Sequence, residues 1–177
     1  MRAIAYLASA TLMVTPLAAQ AAEPPCLTAA EFTALSSYAL PSIITGTTER
    51  CAAVLPADAW LQRKGGELAS RYAEGKSATW PAAKAAFLKL GGNGASAEAA
   101  NLLRSLPDTS LQPMFDTVIA GMIGQQLPTA RCGMVDQVVR LLAPLPPENT
   151  AELIAMLVGI GAKTGRAKIG KFSLCPA

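Results

Sequence analysis

Apolar residues recur at three- and four-residue intervals along almost the whole chain beyond residue 22, and no run alternates convincingly with period two. The first spacing places side chains on one face of an α-helix, whereas a half-buried strand requires alternation. Proline, glycine and short polar residues fall between the periodic segments, where helices begin and end. The pattern therefore predicts an all-α fold, a compact bundle of about seven or eight short helices.

The first helix has the most complete start signal of the chain. Thr28 and Glu31 stand at the spacing of a capping box, in which each side chain accepts a backbone N–H of the other residue. Leu27 and Phe32 are placed to form the hydrophobic staple that accompanies such a box. We expect a helix to begin directly after Thr28.

Pro41 is expected to end this first helix near Ala39, because a proline inside a helix lacks the N–H that the helix needs. Ser42 can then cap a second helix that ends near Val54. A short turn at Pro41 would make the two helices antiparallel neighbours. This hairpin brings Cys51 close to Cys26.

The later helices are expected to turn one apolar face each toward the core. The Gly65-Gly66 pair interrupts one of them and predicts a weak point or a close approach of two helices, while Gly91-Gly92-Asn93-Gly94 predicts a loop and a candidate hinge. The methionines are expected in the core, with an adaptable binding surface as the alternative. The core-facing residues expected on these helices include Trp60, Leu68, Tyr72, Trp80, Phe87, Leu102, Leu103, Leu106, Met114, Val118, Met122, Met134, Val138, Val139, Leu153, Met156, Leu157 and Ile160.

The first 21 residues have the order of a secretory signal peptide. Arg2 precedes an apolar stretch, which is followed by Ala19-Gln20-Ala21, a typical cleavage site. We expect cleavage after Ala21, export to the periplasm or beyond, and a mature single domain of residues 22–177. An uncleaved anchor is the alternative. No transmembrane segment is expected after cleavage, since the best stretch, residues 151–162, is too short to span a bilayer.

The four cysteines, Cys26, Cys51, Cys132 and Cys175, predict two disulfides in an exported chain. None of them is spaced as Cys-x-x-Cys, which disfavours a thioredoxin-like redox site or a zinc ribbon. Three pairings are open. The predicted hairpin at Pro41 favours Cys26–Cys51. Antiparallel packing of the last two helices would place Cys132 near residue 160, from which the tail can return to form Cys132–Cys175.

Composition narrows the classes of function. A chain that is 51% hydrophobic and 15% charged is not intrinsically disordered, and a formal charge of +3 is too weak for a dedicated nucleic-acid binder. The absence of histidine excludes Ser-His-Asp and Cys-His catalysis and metal sites with His ligands. No cofactor or metal is expected.

The clearest charge anomaly follows Glu152, the last acidic residue. Lys163, Arg166, Lys168 and Lys171 form a basic tail that is a candidate surface for an acidic protein or an anionic envelope component. The same cations also suit the C-terminal end of a helix and an exposed strap beyond it. Gly165 and Lys171 have the spacing of a phosphate-binding loop, but the sequence does not support such a loop. No strand is predicted before it, and Phe172 replaces the required hydroxyl residue.

Catalysis by two carboxylates needs no histidine, and Glu49 and Asp116 are the acidic residues without an evident local partner. No serine-hydrolase motif is present. The sequence therefore favours a non-catalytic exported protein that binds another macromolecule, as an accessory subunit or as an inhibitor or immunity-type protein. The alternatives are a carrier that holds a small apolar ligand near Trp60, Trp80 and the methionines, and a carboxylate-based cell-wall hydrolase.

Overall fold

The computed structural model describes residues 26–91, 97–163 and 173–175. These residues form seven α-helices, one turn of 3-10 helix and two paired two-residue strands, which confirms the all-α class. The elements in chain order are β1 (Cys26–Leu27), α1 (Ala29–Cys51), α2 (Trp60–Ala73), α3 (Lys76–Gly91), α4 (Ala97–Ser105), α5 (Asp108–Gln126), the 3-10 turn (Thr129–Arg131), α6 (Cys132–Leu142), α7 (Pro147–Lys163) and β2 (Ser173–Leu174).

Helix α1 is the axis of the fold. It packs against α2, α3, α5 and α7, and its middle, residues 37–42, is buried on every side. The capping box at its start is confirmed: Glu31 N donates to Thr28 Oγ1 at 3.2 Å, and Thr28 N donates to Glu31 Oε2 at 2.8 Å. Lys89 Nζ lies 2.8 Å from the same carboxylate and holds the pKa of Glu31 below its usual value. A local sequence motif therefore fixes where this axis begins.

Pro41 does not end the helix, so the predicted hairpin and the cap at Ser42 are wrong. Helix α1 continues through Pro41 to Cys51. An internal proline costs a helix about 3 kcal/mol or more, and here the burial of Tyr38, Leu40 and Ile44 against neighbouring helices offsets that cost. Instead of capping, the Ser42 hydroxyl donates to Asp116 Oδ1 at 2.9 Å.

The continuous helix overturns the favoured disulfide pairing. A helix of 23 residues is about 33 Å long, so Cys51 lies at the opposite end of α1 from Cys26. The two predicted disulfides are present, but they join Cys26 to Cys175 and Cys51 to Cys132. The Cys26–Cys175 bond joins β1 to the residue that follows β2, and the Cys51–Cys132 bond joins the end of α1 to the start of α6.

Two hydrophobic clusters share α1. One joins Leu40 and Ile44 to α2, α7 and the end of α6, and the other joins Tyr38 and Ala39 to α3 and α5. Tyr38 is the centre of the second cluster, with ring centroids 4.8 Å from Trp80 and 5.3 Å from Phe115. Helix α1 is thus central, with one hydrophobic cluster on each of two sides.

Small residues allow the closest helix contacts. A Cβ on Gly46 of α1 would lie 2.7 Å from the backbone oxygen of Ala120 in α5. A Cβ on Gly65 of α2 would overlap the Thr48 side chain of α1, whereas Gly66 has open space. Gly65 therefore allows a close approach of two helices, as one of the two sequence interpretations predicted, and Gly66 takes no part in it.

Candidate functional site

The outer side of α7 is the most unusual surface of the protein. Residues 153–162 carry no polar side chain, a composition typical of a helix that is buried all round. Within the described residues, α7 is covered on the side that carries Ala151 and Ala155, where α1 packs, and Leu174 of β2 lies near Gly159. On the other side Met156, Leu157 and Ile160, which were expected in the core, are each more than half exposed.

Helix α6 repeats this arrangement on a narrower scale. Its apolar arc is wide, and the described part of the chain covers the half that carries Val139 and the buried Cys132. The other half carries Met134, Val138 and Leu141, of which Leu141 is 71% exposed. The inward placement predicted for Met134 and Val138 is therefore wrong. We use the name apolar face for two sets of exposed residues taken together: Met134, Val138 and Leu141 on α6, and Met156, Leu157 and Ile160 on α7.

Helix α5 carries a methionine stripe, Met114, Val118 and Met122, which is partly covered and partly exposed in the same way. Met114 packs against the Tyr38 cluster, but Val118 and Met122 are exposed beside the open glycines Gly121 and Gly124. Core placement is thus right for Met114 and wrong for Met122, and it is also wrong for Leu102 of α4, which is 63% exposed. Helical spacing alone carries no signal that separates a covered apolar side from an uncovered one.

A groove runs between the N-terminal half of α2 and one side of α6. It has a volume of about 500 Å³, and Trp60 also borders an adjoining groove of about 470 Å³ that runs along α2. Asp136 Oδ1 accepts Leu61 N at 2.6 Å and so fixes the two helices at this point. We call this the Trp60 groove, and its lining residues are Asp58, Ala59, Trp60, Arg63, Lys64, Asp136, Gln137 and Arg140.

Asp116, one of the two carboxylates considered for catalysis, has structural partners. Its Oδ1 accepts Ser42 Oγ at 2.9 Å and Lys76 Nζ at 2.5 Å, and Lys76 Nζ lies 4.4 Å from the centre of the Tyr38 ring. Burial, followed by the negative charge of Asp116, raises the pKa of Tyr38, so its hydroxyl stays protonated. The cluster ties α1, α3 and α5 together.

Glu49, the other carboxylate, is exposed at the edge of a groove of about 550 Å³ between α1 and α5. Gly46, Thr117 and Ala120 line the same groove, but Asp116 does not. A hydrolase needs its two carboxylates to flank one bond. Because the two acids do not line a common site, this geometry gives the hydrolase hypothesis no support.

The other predicted site residues are also separated. Trp60 packs on the Leu40 cluster and Trp80 is buried in the Tyr38 cluster, so the two tryptophans do not line one pocket. Of the basic tail, only the backbone of Lys163, the last residue of α7, is described. Arg166, Lys168 and Lys171 lie outside the described residues, as do residues 92–94 of the candidate hinge.

Among the helices described, none is both long enough and apolar enough to cross a membrane. No group of three or more His, Cys, Asp or Glu side chains is arranged to hold a metal within residues 26–91, 97–163 and 173–175. A scan against protein-family models and searches of curated proteins and solved structures found no match to this chain.

Proposed function

We propose that this protein is an exported, non-catalytic helical protein that binds another protein through its apolar face, as an accessory subunit or as an inhibitor of an enzyme. The observation that carries the proposal is the exposed side of α7, where Met156, Leu157 and Ile160 face outward from a stretch without polar side chains. Apolar surface in water costs about 25 cal/mol per Å² relative to a buried position. A partner that covers these side chains recovers that free energy.

The charge on α7 favours a protein over an anionic membrane as the partner. Helices that lie on such membranes carry lysine and arginine along their polar side. The charged residues of α7 are Glu148 and Glu152, with Lys163 at its end. The two glutamates would be repelled by anionic lipids, whereas a protein can match them at the rim of an apolar contact.

Export rests on two independent features. The signal-like segment of residues 1–21 is a prediction from the sequence, and the two disulfides suit an oxidising compartment. In that compartment the basic tail, Lys163, Arg166, Lys168 and Lys171, is a second candidate contact for an acidic protein partner.

The test uses three leucine-to-glutamate variants of the oxidised mature protein. Leu141→Glu and Leu157→Glu place a charge on the apolar face, and Leu102→Glu is the matched control, because Leu102 is 63% exposed but belongs to α4. A partner captured from envelope extract by crosslinking is identified by mass spectrometry, purified and titrated with each variant. We expect the first two changes to weaken binding at least tenfold and the control to bind as the wild type does.

Equal affinity of all three variants would contradict the apolar face as the contact. Replacement of the four tail cations by serine then tests the basic tail in the same titration. Binding to vesicles of anionic lipid, lost in Leu157→Glu, would assign the face to a membrane instead of a protein. Failure to capture any stoichiometric partner would contradict the proposed function as a whole.

A further inference from the structure

The Trp60 groove has walls that are fixed at both ends. Near its mouth, Asp136 of α6 accepts the backbone N–H of Leu61 in α2. Farther along, the Arg71 guanidinium of α2 donates to the Ala143 carbonyl and the Tyr72 hydroxyl donates to the Leu145 carbonyl at 2.9 Å, at the end of α6. Helices α2 and α6 therefore lie side by side in one fixed register, and the groove between them is formed before any ligand arrives.

Two arginines from different helices line this groove. Arg63 comes from α2 and Arg140 from α6, and neither guanidinium donates to an acceptor within the part of the chain that the structure describes. The third cation, Lys64, is paired with Glu67 at 2.7 Å. Guanidinium groups bind carboxylates with two parallel hydrogen bonds, and two of them on opposite walls suit one anionic group between them.

Trp60 gives the groove a flat apolar surface. Its side chain is half-buried and packs against the Leu40 cluster, so the indole is held in place. It borders both grooves and can contact a ligand that extends along α2. The C–H face of a sugar ring packs well on such an indole, because the ring offers apolar hydrogens on its face and hydroxyls at its edge.

Polar groups that suit hydroxyls complete the lining. Gln137 is exposed and offers both a donor and an acceptor, and Asp58 offers an acceptor. Asp136 is already occupied by Leu61 N, so of the two groove carboxylates only Asp58 has both oxygens open to a ligand within the described residues. Because Lys64 is paired with Glu67, the two arginines, Arg63 and Arg140, stand against the two carboxylates. The groove therefore combines a pair of guanidinium groups with an aromatic surface and hydroxyl partners.

The geometry points to an acidic saccharide as the ligand of the Trp60 groove, with its carboxylate between Arg63 and Arg140 and a sugar ring on Trp60. This site goes beyond the proposed function and is separate from the surface that function uses. At 100° per residue, the mean direction of Asp136, Gln137 and Arg140 lies roughly 120° around α6 from that of Met134, Val138 and Leu141, with Gln137 next to Leu141 at the border between them. Loss of one activity therefore leaves the other measurable.

Isothermal titration with trigalacturonic acid tests the assignment, with its fully methyl-esterified form as the uncharged control. We expect binding of the acid, at least tenfold weaker binding of the ester, and a change in fluorescence of Trp60 on binding. Arg63→Gln and Arg140→Gln should each weaken the binding of trigalacturonic acid at least tenfold. Arg131→Gln is the matched control, because it removes the same charge from an exposed position outside the groove.

Four results would overturn the inference: no binding of the acid, equal binding of acid and ester, an equal loss with Arg131→Gln, or equally tight binding of inorganic phosphate. The last result would mean that the sugar ring adds nothing. Thermal melting of each variant shows that it is folded before it is titrated. The apolar-face variant Leu157→Glu should bind trigalacturonic acid as the wild type does, which separates this test from that of the proposed function.

Discussion

Single glycines decide how closely the helices of this protein approach. Gly46 lets the backbone of α1 meet the backbone of α5 at Ala120, where no side chain can move aside. Gly66, in contrast, faces open space on α2. The same residue type therefore has opposite roles at two positions: at Gly46 it is required by packing, and at Gly66 it only weakens the helix.

We expect Gly46→Ala to lower the free energy of unfolding by about 1–3 kcal/mol, because the new methyl group forces α1 and α5 apart. Gly66→Ala should raise it by up to about 1 kcal/mol, the gain in helix propensity. Urea unfolding of the two variants and the wild type measures both changes. A stabilising Gly46→Ala would show that the α1–α5 contact is looser than the structure has it.

At the scale of elements, two lysine–aspartate pairs connect α3 to α5. Lys76–Asp116 lies close to Ser42 and the Tyr38 ring, and its side chains are 17% and 34% exposed. Lys84–Asp108 lies nearer the surface. Lys84 donates to Asp108 and holds the pKa of that carboxyl below its usual value. The two pairs join the same helices and differ mainly in their access to water.

Asp116→Asn should therefore destabilise the protein by about 1–3 kcal/mol at pH 7, because it removes a charged acceptor from two partly buried donors. Asp108→Asn should cost no more than about 1 kcal/mol, as expected for an exposed pair. Urea unfolding at pH 7 compares the two variants, which remove the same charge from the same helix. Equal losses would mean that the cluster around Asp116 is no stronger than a surface ion pair.

The sequence predicts elements well where the determinants are local. Thr28 and Glu31 are three residues apart, and their capping box forms as expected. Pro41 is different, because its cost is local but the contacts that offset it come from helices far along the chain. The Cys26–Cys51 pairing was wrong for that reason, because it rested on the predicted turn at Pro41. The Cys132–Cys175 pairing rested on the packing predicted for the last two helices and was also wrong.

The candidate site was harder to predict than the fold. The pattern correctly identified the apolar residues of α6 and α7, but exposure depends on whether another element covers them. Met134 and Val139 belong to the same apolar arc, and only the second is packed against the core. The Trp60 groove was missed because Arg63 and Arg140 are far apart in sequence and line one groove only when α6 lies along α2.

At the scale of the whole molecule, the two disulfides differ in their access to solvent. Cys51 and Cys132 are 0% and 1% exposed, whereas Cys26 and Cys175 are half-buried. A thiolate must reach a sulfur atom of a disulfide to reduce it. The bond between Cys26 and Cys175 is therefore the one that a reductant meets first.

We expect dithiothreitol in native buffer to reduce Cys26–Cys175 well before Cys51–Cys132. Alkylation at successive times, followed by peptide mass spectrometry, gives the order in which the four cysteines become labelled. Early labelling of Cys51 and Cys132 would contradict the burial of that pair, and a peptide that links Cys26 to Cys51 would contradict the pairing itself.

The bond between Cys26 and Cys175 also determines how the domain responds to mechanical force. It joins residues on β1 and the end of β2 that are 149 positions apart in the chain, with all seven described helices between them. A pull applied between the segments that precede Cys26 and follow Cys175 passes through the sulfur–sulfur bond and bypasses the helices. Fused at either end to other proteins, this domain would add almost no extensible length to the assembly until that single bond is reduced.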